Sequence, residues 1–178
     1  PKIIELQNED AMRLMNACVG LSLASFELNE EYYSTLSTLL ARAEDEFKRL
    51  ILMFLANVII QSKRLDHLIS HPTFLMEIYS LALSSEKDDV KFNAYKVLNV
   101  LIMFIGAEKR EILNEIVKEW DFFNVLLVPV LEDSQSFLHE KVFFILENLG
   151  KNGGFEQEFE ATNAIPLMVD YFCTRPGY

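Results

Sequence analysis

Residues Asp89 to Ile105, DVKFNAYKVLNVLIMFI, constrain the fold of this chain more than any other stretch. Ala94, Val97, Leu98, Leu101 and Ile105 recur at steps of three and four, which lays one apolar stripe along a helix. Val100, Met103 and Phe104 make much of the opposite side apolar as well. A helix that is apolar nearly all round needs neighbours on more than one side, so this one is expected in the interior. Its Leu98-Asn99-Val100 has counterparts in Leu14-Met15-Asn16, Leu55-Ala56-Asn57 and Leu146-Glu147-Asn148. A central buried helix with three copies of its pattern predicts a chain built from similar helical units.

The rest of the sequence is compatible with an almost entirely helical chain. Only 6 Gly and 5 Pro interrupt long apolar runs at helical spacing. The spacing predicts a helix from Lys2 to about Gly20, another after an Asn29 cap, and one opened by Glu44-Asp45-Glu46 that runs to about Ile60. Pro72 is expected to close a short helical piece and to start the next helix, Thr73 to about Ser84. Gly106 and Gly150 are the expected stops of the helices that precede them, and Asp121 the expected cap of Phe122 to about Leu131. Phe155 to Ala161 and Ile165 to Cys173 complete the predicted helices.

The sequence superposes on itself. Leu14, Leu55, Leu98 and Leu146 are 41, 43 and 48 residues apart, and Leu36, Ile78, Leu126 and Val169 follow in step at 42, 48 and 43. A period in the forties, made of one short and two longer helices, resembles armadillo and HEAT repeats. Ala164-Ile165-Pro166-Leu167-Met168-Val169 is similar to the start of a second armadillo helix. The resemblance implies an all-α fold: a right-handed α-solenoid of about four armadillo-like three-helix repeats. Residues 1-178 would form one such domain, with units at about 1-43, 44-85, 86-133 and 134-178, inside a longer chain.

The same resemblance implies a concave groove lined by the third helix of each repeat. In the importin-α kind that helix carries a Trp and, four residues later, an Asn whose amide pairs with the backbone of an extended peptide. The matching Asn positions here are Asn16, Asn57, Val100 and Asn148, and the matching Trp positions are Met12, Met53, Lys96 and Phe144. The absent tryptophans disfavour a nuclear-localisation receptor, so only the groove carries over. Its expected surface is three rows at steps of four: Arg49, Met53, Asn57 and Gln61; Phe92, Lys96, Val100 and Phe104; Glu140, Phe144, Asn148 and Asn152. Such a surface suits a protein or peptide partner with apolar anchors, extended or helical. A plainer reading makes Asn57 and Asn148 bridges between neighbouring helices.

Twenty-seven acidic residues against sixteen basic, a net charge of −11, disfavour nucleic acid and an anionic membrane surface as partners. The longest uncharged apolar run, Leu50 to Ile60, is too short for a membrane span of roughly 20 residues. Cys18 and Cys173, far apart in apolar helical stretches, read as reduced core residues of an intracellular protein, cytoplasmic or nuclear. His67 and His71 share a helical spacing, but Pro72 interrupts it, so no metal site is expected. Gly150 to Gly154 lacks the strand and the Lys-Ser/Thr ending of a phosphate loop. The adjacent carboxylates Asp88-Asp89 and Glu44-Asp45-Glu46 have no nucleophile or base pattern beside them, and Trp120 reads as a packed residue at a helix start. The expectation is therefore a non-enzymatic adaptor or scaffold without a cofactor. An alternative is a structural or autoinhibitory slice of a larger solenoid, similar to formin regulatory regions. That slice would pack on another chain or self-associate through its terminal repeats, with Val169, Tyr171 and Phe172 on the last helix.

Overall fold

The acidic clusters and prolines that punctuate the sequence become helix starts. A computed structural model of the chain describes residues 9, 12, 13, 15, 16, 30–62, 66–105 and 109–174. The described residues are overwhelmingly helical, and no strand occurs among them. Helix α1 spans Glu30–Arg42, α2 Asp45–Ser62, α3 Asp66–Ile69, α4 Pro72–Ser84 and α5 Asp88–Phe104. Asp45 and Glu46 open α2 and Asp88 and Asp89 open α5, where carboxylates meet the positive end of the helix dipole. Pro72 is the first residue of α4, as its fixed φ and missing N–H favour. The carbonyl of His71 before it takes the N–H groups of Phe74 and Leu75 at 3.0 and 3.2 Å. Asn29, Gly106, Cys18 and most of the predicted first helix lie outside the described residues.

Downstream, α6 spans Arg110–Glu119 and is followed by a π-helical segment, Phe122–Leu127, that runs directly into α7, Val128–Glu132. Pro129 accounts for this wider turn: it has no N–H to donate, and its ring crowds the carbonyl four residues back. Val128 N–H bonds instead to Phe123 O, five residues back. Asp121 opens the segment in the left-handed region, φ +48°. Its side chain does not cap backbone amides as expected; the carboxylate takes the side-chain amide of Asn124 at 2.9 Å. Helix α8 spans His139–Asn152, α9 Glu156–Ala161 and α10 Ala164–Thr174. Helix α8 passes through Gly150, the expected stop, and ends at Gly153, which takes φ +74° and donates its N–H to Leu149 O at 3.2 Å. The left-handed dihedral ends the helix, and Gly150 does not adopt it.

The chain divides into two compact units, Pro1–Phe104 and Ile105–Tyr178. The division falls inside the third of the sequence-derived units, 86-133, directly after α5. In the first unit α1 packs on α2, α3 and α4, and α5 lies across both α2 and α4. Helix α5 is buried on most of its circumference, from Val90 through Ala94, Leu98 and Leu101 to Ile102, as its sequence demands. In the second unit α6 packs on the π segment, and α7 packs on both α8 and α10. Its core includes Leu113, Phe122, Phe123, Leu126, Val142, Ile145 and Leu149. Of the two periodic series, the described members Leu55, Leu98 and Leu146, and Leu36, Ile78 and Leu126, are all buried. Val169 is not: it is 56 % exposed. Cys173 is also exposed on α10, which corrects its reading as a core residue.

Candidate functional site

The first predicted row runs along α2 and is held by its own neighbours. Arg49 forks onto Glu46 one turn earlier, Nε to Oε2 and Nη2 to Oε1, both at 2.7 Å, and its Nη1 donates to Met53 Sδ at 3.0 Å. Arg13, from the stretch before α1, adds a third bond to Glu46 at 2.8 Å. Hydrogen bonds from Arg49 and then Arg13 lower the Glu46 carboxyl to about 2, and Arg49 is raised in return. Asp89 at the start of α5 contributes to holding Arg49 charged, so α2 and α5 bring these two ends together. Asn57 donates its amide to Asn16 Oδ1 at 3.4 Å, and the buried Asn16 donates in turn to Leu50 O at 3.0 Å. Two of the predicted ladder asparagines, Asn16 and Asn57, thus bond to each other.

The second row runs along α5 in the same unit. Phe92, Lys96 and Phe104 are half-buried. Val100 is 4 % exposed and belongs to the core, which corrects its place in a surface row. Helix α5 has neighbours on two sides, and a short β-branched chain between buried Val97 and Leu101 does not reach past them, whereas the long Lys96 stem does.

The third row lies on α8 in the second unit. Glu140 is largely exposed, Phe144 is 42 % exposed with Lys141 Nζ 5.9 Å above its ring, and Asn148 and Asn152 are half-buried. Beside this row is a cleft of about 360 Å³ between α8 and α10, lined by Glu140, Phe143, Phe144, Glu147, Tyr171 and Phe172. The Phe143 ring meets those of Tyr171 and Phe172 at 4.8 and 5.0 Å, and Tyr171 lies 4.6 Å from the ring of buried His139. These contacts hold the cleft floor in place. The apolar character of α10 is legible in the sequence, whereas its contact with Phe143 is not; the Phe143-Phe144 tandem, one half-buried and one exposed, is the signal the sequence offers.

A second cleft of about 430 Å³ opens between α1 and α4, with Ser34, Ser37, Thr38, His71 and Thr73 on its walls. The Ser37 hydroxyl donates to Glu77 at 3.0 Å, and burial raises the Glu77 carboxyl. The His71 ring stacks on Tyr33 at 5.6 Å. These bonds tie α1 to α4 and do not form a serine–histidine relay. Among the described residues no group of three or more His, Cys, Asp or Glu side chains is placed to hold a metal ion, and no helix is long and apolar enough to cross a membrane. The chain matches no family model, no curated protein and no solved structure.

Proposed function

We infer that this chain is a non-enzymatic interaction domain that binds a segment of another protein. The observation that carries the reading is the exposed apolar surface of the second unit. Ile165, Val169 and Phe172, at steps of four and three along α10, are 46, 56 and 56 % exposed, and Phe172 shares the α8–α10 cleft with the 42 % exposed Phe144. Aromatic and aliphatic side chains clustered around a cleft with a fixed floor are anchors of protein interfaces.

An armadillo-like or HEAT-like repeat architecture is part of this proposal. It is supported by the two sets of neighbours: α1 packs on α2 and α4 in the first unit, and α7 packs on α8 and α10 in the second. The sequence alignment sets Leu36 of α1 against Leu126 of the π segment that runs into α7, Leu55 of α2 against Leu146 of α8, and Ile78 of α4 against Val169 of α10. A second reading, an element of a larger assembly whose open face packs on another chain or copy, draws on the same α10 stripe.

The test compares partner capture by the wild-type chain with capture by a Lys96→Glu, Phe144→Ala variant whose circular dichroism and melting are unchanged. Loss of at least one partner is expected. Identical capture by both proteins would reject the assignment of binding to the predicted rows.

A further inference from the structure

The two units differ in what covers their second helix. With Leu55 set against Leu146, the residues that face inward on both helices correspond: Phe47, Ile51, Phe54, Leu55 and Val58 on α2, and Val142, Ile145, Leu146 and Leu149 on α8 with Leu138 at its N-cap. Helix α2 buries a second stripe, Leu52, Ala56 and Ile59, and has α5 as its further neighbour. The corresponding residues of α8 are Phe143, Glu147 and Gly150. Phe143 is half-buried, Glu147 is exposed, and the space a side chain at Gly150 would enter is open. Helix α4 has the same relation to α10: α4 is buried on two sides, whereas α10 leaves Ile165, Val169 and Phe172 exposed. Among the described residues of the second unit, no helix lies across α8 and α10 as α5 lies across α2 and α4.

The open face is acidic where the covered one is basic or neutral. Arg49, which has Asp89 of α5 near it, corresponds to Glu140, and the small Ala56 at the middle of the buried stripe corresponds to Glu147. Glu140 and Glu147 are seven residues apart, two turns along one face of α8. Each has a lysine near it, Lys141 at 3.8 Å and Lys151 at 2.6 Å, but Glu140, Glu147 and Lys151 are more than half exposed, where such pairs contribute little and exchange readily.

Resting on the reading of this chain as an interaction domain, we propose that the α8–α10 cleft binds an amphipathic helix of a partner protein. That helix occupies the position α5 takes on α2 and α4, and carries two basic residues a heptad apart beside its apolar stripe. The apolar stripe covers Phe143, Phe172 and Val169, the open side of Gly150 lets the helix approach closely, and the two cations meet Glu140 and Glu147. A purely apolar helix would leave Glu147 in a dry contact, at a cost that a facing cation offsets. A second copy of this chain is disfavoured by like charge, since each copy brings a net −11 and α10 itself carries Asp170.

Fluorescence anisotropy with labelled synthetic helices tests this on the full chain. One peptide has the 17-residue length of α5, leucines at steps of three and four and two lysines seven apart; its twin carries glutamates at those two positions. The lysine peptide is expected to bind about tenfold more tightly than its twin, with the gap narrowing as salt is added. Phe172→Ala should abolish binding, and the Glu140→Lys, Glu147→Lys chain should prefer the glutamate twin; all three positions are exposed, so folding is retained, as circular dichroism checks. Equal affinity for the two peptides, no binding of either, or binding indifferent to Phe172→Ala would overturn the proposal. So would concentration-dependent self-association abolished by Phe172→Ala, because the occupant would then be a second copy. If partner capture is lost in a single Lys96→Glu variant and kept in Phe172→Ala, the interaction function stands and this assignment of its site falls.

Discussion

Gly154 holds φ +82°, and a Cβ built on it would lie 2.7 Å from Asn114 Nδ2. Both facts argue against any side chain there. Gly154→Ala should lower stability by about 1–2 kcal/mol, measured by urea unfolding, because the backbone is strained even where Asn114 swings aside. Gly150→Ala is the contrast: its dihedrals are helical and its Cβ meets nothing within 4 Å, so stability should be unchanged or rise by up to about 1 kcal/mol. The sequence alone does not rank these glycines, since it shows the residue and not the dihedral.

Glu77 is a second residue whose behaviour follows from position. Burial raises its carboxyl, and the Ser37 hydroxyl only partly opposes this. With the folded value above the unfolded one, the native state holds the proton more tightly. The stability this contributes is complete below the unfolded value near 4.5 and is lost as pH rises through the folded value. Glu77→Gln removes that loss, so the variant should gain on the wild type as pH is raised from 4.5 towards neutrality. Chemical denaturation across that range measures the difference; a constant offset between the proteins would contradict it.

At the scale of elements, the bond from Asn57 to Asn16 decides what the predicted ladder is made of. Asn16 is buried and donates to Leu50 O, so Asn16→Ala should cost about 1–3 kcal/mol. Asn57 is half-buried and its contact is long at 3.4 Å, so Asn57→Ala should cost less than about 1 kcal/mol. A double-mutant cycle should return a coupling of at least about 0.5 kcal/mol. Strict additivity would mean that Asn57 does not bridge helices and is available to a ligand. The elements themselves were largely legible. Apolar residues at helical spacing marked α2, α4, α5, α8 and α10, and Pro72 marked the α4 start, because these signals are local. The π segment was not, because it depends on how Pro129 is accommodated by residues before it. Nor was the passage of α8 through Gly150.

For the whole molecule, the sequence by itself determined that the described residues form helices and no strand, and that Asp89 to Ile105 is interior. It also placed most of the core, from Leu36 and Leu55 to Leu146, since helical period and side-chain polarity are properties of each segment alone. Tertiary structure decided which faces are covered. Val100 is core because α5 lies across both α2 and α4, and Val169, Phe172 and Cys173 are exposed because, among the described residues, α10 has its neighbours α7 and α8 on its other face. The same decision left Phe143 and Glu147 beside an open cleft while the aligned Leu52 and Ala56 are buried. An apolar stripe states that a helix needs a partner; only the placement of the other helices states whether it already has one.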